Sequence, residues 1–196
     1  IASSILIAIL EVNSFLEIIA VATALIYIFL AAKSNRWCFL FGLISSAIYI
    51  YITFELAYYF DVLINTYYVG MSFYGWIEWG KTNQSTISIK QMSKKLLIIL
   101  LSTCLILSIS MAFVISQFSN ASLPYLDAIT TFYSLLATWM VVKKYIENWV
   151  IWIAIDFIAA GMYFYKELYL TGLLFLVYSI IAIFGYRNWK KQLSYD

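Results

Sequence analysis

Seven runs of predominantly apolar residues, each long enough to cross a bilayer when wound into a helix, dominate this chain. They cover about Ser14 to Ala32, Trp37 to Phe54, Val62 to Trp79, Lys95 to Ile115, Tyr125 to Val142, Trp149 to Tyr165 and Tyr169 to Trp189. Inside hydrocarbon every backbone N–H and C=O must be satisfied within the spanning segment, so open sheets and irregular chain are excluded and helices remain. One Pro and seven Gly agree with uninterrupted helices. With 64% hydrophobic residues against 11% charged, the expectation is an all-α integral membrane protein of seven transmembrane helices.

Ile1 to Leu10 is apolar but too short to span, and reads as an interfacial helix that ends at Glu11. It lacks the basic start of a signal peptide, and without an initiator Met the true start of the chain lies open. The expected organisation is an interfacial segment over 1–13, a first three-helix bundle over 14–79 and a polar cytoplasmic loop over 80–94. A linker helix with an outer loop then occupies 95–124, a second three-helix bundle 125–189 and a cytoplasmic tail 190–196.

Alternate connections hold eleven of the twelve basic residues, and Lys166 stands alone on the other side. By the positive-inside rule the C-terminus is expected to be cytoplasmic and the N-terminus outside.

Several function classes fall away. A net charge of +2 gives no reason to expect nucleic acid, and the absence of His removes H-E-x-x-H metal chemistry and histidine proton relays. A retinal protein needs a buried Lys, whereas every Lys here lies at a helix end or in a loop. An enzyme needs an activated nucleophile or an acid/base pair, and the membrane acids are widely spaced; no catalytic residue, metal or cofactor is expected. No G-x-x-x-x-G-K-[ST] motif supplies an ATP site. Cys38 and Cys104, within apolar runs, read as buried reduced thiols.

The chain repeats itself. Asn35-Arg36-Trp37 opens the second helix as Glu147-Asn148-Trp149 opens the sixth, and Tyr51, Glu55 and Leu56 match Tyr163, Glu167 and Leu168. With a two-residue slip, Tyr68, Gly75, Trp79 and Lys81 match Tyr178, Gly185, Trp189 and Lys191, and Leu16-Glu17 matches Leu126-Asp127. Helices one to three therefore repeat as five to seven, and the odd fourth helix makes the copies parallel, a 3+1+3 plan used by carriers that bind substrate between halves.

Asp156 is the costliest residue in this plan. A carboxylate at mid-membrane costs roughly 2.5–3.5 kcal/mol even on lenient scales, so it should face a cavity or partner. Trp152 lies one helical turn earlier on the same face, and a Trp ring attracts cations by about 0.5–2 kcal/mol. The two read as the centre of a binding site for a small aromatic cation; lipid contact is the competing reading for Trp152. Asn65 offers a donor and an acceptor on the third helix, either to substrate or to a neighbouring helix. Tyr68, Met71 and Tyr74 share its helix as a cavity lining or a core stripe, and Tyr163 and Tyr178 are candidates of the same kind. Glu17 and Asp127 are repeat-related acids placed as entrance acids or as solvated acids at helix starts. Trp37, Trp76, Trp79, Trp149 and Trp189, near helix ends, read as an interfacial aromatic belt.

The segments YYVGMSFYGWIEW (Tyr67 to Trp79), YIENWVIWIAID (Tyr145 to Asp156) and MYFYKELYLTGLLFLVYSIIAIFGYRNW (Met162 to Trp189) resemble the PnuC family of bacterial vitamin transporters. The resemblance implies two three-helix bundles joined by a linker helix, similar in outline to the SWEET sugar carriers. It also implies facilitated diffusion of an unphosphorylated vitamin, trapped by a cytoplasmic vitamin kinase, and a homo-oligomer. In the family's nicotinamide riboside carriers Asn tends to stand where this chain has Asp156, and Gln where it has Asn65. The present pair looks more like the thiamine-transporting, PnuT-like subgroup, so thiamine is the expected substrate and nicotinamide riboside the alternative. A structural membrane subunit that transports nothing is the alternative of another class, and it leaves Asp156 without a purpose.

Overall fold

The computed structural model describes residues 2–81, 88–118 and 122–193, with side chains from residue 15 onward. Seven α-helices account for nearly all of them: α1 (Ala2–Ala32), α2 (Cys38–Glu55), α3 (Tyr59–Gly80), α4 (Lys94–Phe118), α5 (Pro124–Val142), α6 (Asn148–Tyr165) and α7 (Tyr169–Leu193). Among the described residues there is no strand, only an isolated bridge between Lys90 and Tyr145. α1 runs without a break through the expected interfacial segment, and α7 continues to Leu193, beyond Trp189.

Six helices are long and apolar enough to cross a membrane; α3, with 22 residues, is long enough but more polar. Its polar residues are Asp61, Asn65, Thr66, Ser72 and Glu78, two of them among or beside the candidate site residues. Large apolar side chains stand exposed on every helix, such as Ile98, Ile106 and Phe113 on α4, as lipid-facing surfaces require.

The chain forms two compact units, one of Ile1–Ala31 and Asn35–Asn83, the other of Ala32–Ser34 and Gln84–Asp196. In the first, α2 packs on α3, and α1 touches α2 where Ser45 Oγ donates to the Ala20 carbonyl at 2.9 Å. In the second, α4, α5, α6 and α7 pack in sequence order, with Tyr133 Oη donating to the Leu101 carbonyl at 2.9 Å to join α5 to α4. The α4 helix, expected as a separate linker, thus packs within the second unit.

The same local geometry recurs in both units 110 residues apart. α2 and α6 begin at Cys38 and Asn148 and end at Glu55 and Tyr165. The preceding turns pass through left-handed Ser34 and Lys144, and the following ones through Ala57 and Glu167, at φ 56–66°. Asn35 N–H donates to the Leu30 carbonyl as Tyr145 N–H does to Met140, both at 2.9 Å. This corrects the two-residue slip: the offset of Gly75/Gly185 and Trp79/Trp189 holds throughout, so Trp37 corresponds to Glu147 and Phe39 to Trp149.

Gly75 and Gly185 show why those positions are glycine. A Cβ at Gly75 would run into the Phe39 ring, and one at Gly185 would stand 2.8 Å from the Trp149 ring. The rings settle into these gaps and meet a second aromatic edge-on, Phe39 against Trp79 at 4.9 Å and Trp149 against Trp189 at 5.5 Å. Trp79, Trp149 and Trp189 are therefore core residues, not the interfacial belt expected from their place near helix ends. Trp37 is exposed, and Trp76 carries the Arg36 guanidinium 4.0 Å above its ring.

The expected plain loop over 80–94 is also corrected in part, residues 82–87 lying outside the described ones. Ile89 to Met92 forms an extended strap on the α5–α6 turn. Lys90 N–H donates to the Lys144 carbonyl at 2.8 Å, Ile146 N–H donates to the Lys90 carbonyl at 3.0 Å, and Met92 N–H donates to Glu147 Oε1 at 3.0 Å. Ile89 and Met92 of the strap and Ile146 of the turn are buried. Cys38 is a buried free thiol; Cys104 is also free but only half-buried.

Candidate functional site

The first unit carries Asn65, Tyr68, Met71 and Tyr74 on α3. Asn65 is half-buried and donates from Nδ2 to the Asp61 carbonyl one turn back at 2.9 Å. That bond lies within one helix. Met71 is buried, whereas Tyr68 and Tyr74 are half-buried. Tyr68 meets the Tyr67 ring edge-on at 5.8 Å.

The second unit carries Trp152, Asp156, Tyr163 and Tyr178. Asp156 is only 3% exposed and its Oδ2 is buried with no hydrogen-bond partner. An acceptor in that state has lost its water without replacement, at a cost of about 1–3 kcal/mol and more for a charge. Trp152, one turn before it, packs half-buried against a core of Met92, Leu136, Ala137, Met140, Ile151 and Ile155. Part of Trp152 is thus anchored in protein, and the rest of its surface is exposed.

Nearer the other end of α6, Tyr163 stacks on Phe175 at 5.2 Å and 13°, and Phe175 meets Tyr178 edge-on at 5.7 Å. Phe175, which the sequence did not single out, is what brings the two tyrosines into one aromatic column. Lys166 joins this column from outside, with Nζ 5.9 Å from the Tyr163 ring centre and 3.4 Å from Asp127 Oδ1. Asp127, in the first turn of α5 and still partly solvated, is also ion-paired. Its counterpart Glu17 is exposed well inside α1, not at a helix start, so the helix dipole does not bear on it. Leu56 occupies the place in the first unit that Lys166 holds in the second, so this ion pair belongs to one unit only.

The model of the nicotinamide mononucleotide transporter family matches residues 14–191. The chain belongs to that family. The relatives of this transporter family include the nicotinamide riboside transporter PnuC of Escherichia coli K12, 21% identical over 90% of this chain and 85% of that protein. The nicotinamide riboside transporter PnuC of Neisseria mucosa is 26% identical over 91% of this chain and 73% of its own length. The crystal structure of the vitamin B3 transporter PnuC superposes with a TM-score of 0.71 at 21% identity, covering 99% of this chain and 88% of that one. It shares the fold.

Sequence reasoning passed over Ser179 on α7, whose buried Oγ has no partner. A stripe of small residues, Gly172, Ser179, Ala182 and Gly185, marks the buried face on which it lies.

Proposed function

We propose that this protein is a membrane carrier for nicotinamide riboside, moving it by facilitated diffusion into a compartment where phosphorylation traps it. The observation that carries this reading is the family match over 14–191, together with relatives named as nicotinamide riboside transporters over nine-tenths of the chain. The thiamine preference is withdrawn. It rested on Asp156 and Asn65 alone, whereas the relatives named for their substrate are riboside transporters.

The chemistry of the site supports the reading. Nicotinamide riboside carries a permanent pyridinium charge in a flat ring, which suits an aromatic face such as Trp152 and a carboxylate such as Asp156. Asp156 Oδ2, buried without a partner, is an acceptor kept available for a ligand. Asn65, Tyr68, Met71, Tyr74, Tyr163 and Tyr178 are proposed to complete the lining. The recurrence of local geometry 110 residues apart supports two three-helix halves, α1–α3 and α5–α7, related as parallel copies with α4 between them. The distribution of Lys and Arg supports a cytoplasmic C-terminus.

Isothermal titration of the detergent-purified protein with nicotinamide riboside, and separately with thiamine, tests this. Heat from the riboside with silence from thiamine is expected. Binding of thiamine alone would overturn the substrate assignment.

A further inference from the structure

Three buried hydroxyls of this protein donate to a backbone carbonyl, and Ser179 donates to none. Ser108 donates to the Cys104 carbonyl at 2.7 Å and Thr138 to the Ser134 carbonyl at 2.8 Å, each one turn back along its helix. Ser45 reaches instead to the Ala20 carbonyl of a neighbouring helix. Such back-bonding is the easiest way for a helical hydroxyl to satisfy itself away from water. Ser179 is 6% exposed, has the Phe175 carbonyl one turn back, and leaves its Oγ without any partner.

Its level along the helix pair gives this meaning. α6 and α7 run antiparallel, with the Trp149 ring against Gly185 and the Phe164 ring against Gly172. Asp156, seven residues past Trp149, therefore comes level with the α7 residues about seven before Gly185, where Ser179 lies. Both are on the buried faces of their helices, and each holds an unpartnered polar atom, Oδ2 on one and Oγ on the other. One is an acceptor, and the other is a hydroxyl able to donate.

We propose that Ser179 determines substrate specificity, its hydroxyl donating to the carbonyl of a planar carboxamide whose N–H donates to Asp156 Oδ2. The inference rests on the nicotinamide riboside reading and names the part of the molecule that is recognised. A primary carboxamide presents a donor and an acceptor side by side, which matches one acceptor and one hydroxyl. A carboxylate in its place offers acceptors only and has no N–H to give to Asp156 Oδ2. A site built to bond a polar group rejects the analogue without it, because its own buried atoms are then left unpaired.

The test is a four-way titration of the purified full chain. Nicotinamide riboside and ribosylpyridinium, the same compound without the carboxamide, are each titrated into wild type and Ser179→Ala. Wild type should prefer the riboside by about tenfold or more, and Ser179→Ala should lower its affinity for the riboside by about 3- to 10-fold. Affinity for ribosylpyridinium should stay unchanged, so the preference shrinks. Ser179→Cys, nearly the same size with a weak donor, should repeat the effect and serves if the alanine variant does not fold. An equal fall for both ligands, or an unchanged preference, would overturn the role of Ser179 while leaving the carrier intact. Wild type that binds no riboside would overturn the proposed function and this inference with it.

Discussion

Lys166 Nζ lies 3.4 Å from Asp127 Oδ1, joining the turn after α6 to the first turn of α5. Asp127 is 46% exposed and Lys166 28%, so water and salt screen the pair. Lys166→Gln should change stability by no more than about 1 kcal/mol, read as a small shift in the thermal midpoint in detergent. A loss of several kcal/mol would mean that the pair anchors α6 to α5.

Asp156 should trade stability for binding. Asp156→Leu removes a buried carboxylate that nothing pairs and should raise stability by about 1–3 kcal/mol while abolishing riboside binding. Asp156→Asn keeps an acceptor and should lower affinity by no more than about tenfold, or ~1.4 kcal/mol. Thermal denaturation and titration of the same preparations check both, and normal binding by the leucine variant would remove Asp156 from the site.

Trp152 should serve packing and ligand at once, because it packs partly buried against the cluster that includes Met140 and Ile155. Trp152→Ala should weaken riboside binding by about 1 kcal/mol or more and also destabilise the fold, by less than the ~3–5 kcal/mol of a fully buried Trp. Trp152→Phe keeps a ring and should recover most of the stability but only part of the affinity. Equal recovery of both would place the effect wholly in packing.

Glycines on the helices should divide into two groups. Gly185→Ala drives a Cβ to 2.8 Å from the fully buried Trp149 ring and should cost about 1–3 kcal/mol. Gly161→Ala meets nothing within 4 Å and should stabilise α6 by about 0.4–1 kcal/mol. Thermal midpoints of the two variants moving in the same direction would contradict the packing described.

The helices were legible because apolar run length is a coarse signal that local detail does not disturb. The end of α5 at Val142 and the start of α7 at Tyr169 fall where the sequence puts them. The repeat was legible in Gly75/Gly185, where a missing side chain has a steric reason. It slipped at the loops because Asn-Trp and Glu-Leu pairs match by letter while the left-handed positions they flank, Ser34/Lys144 and Ala57/Glu167, share no letter and include no glycine. Asp156 stood out by its charge. Ser179 did not, since a serine in an apolar helix is cheap and its failure to bond back appears only in three dimensions. The tryptophans misled for a related reason: nearness to a helix end is visible in sequence, and the ring that each one meets is not.

The strap from Ile89 to Met92 orders events in time. Its backbone groups bond to residues 144–147, which leave the ribosome more than fifty positions later, after α4 and α5 have been made. Until then the N–H groups of Lys90 and Met92 have only water to bond, so the strap must wait on an aqueous side of the membrane. It closes on the α5–α6 turn only when that turn exists, which makes it a late latch in biogenesis rather than a nucleus.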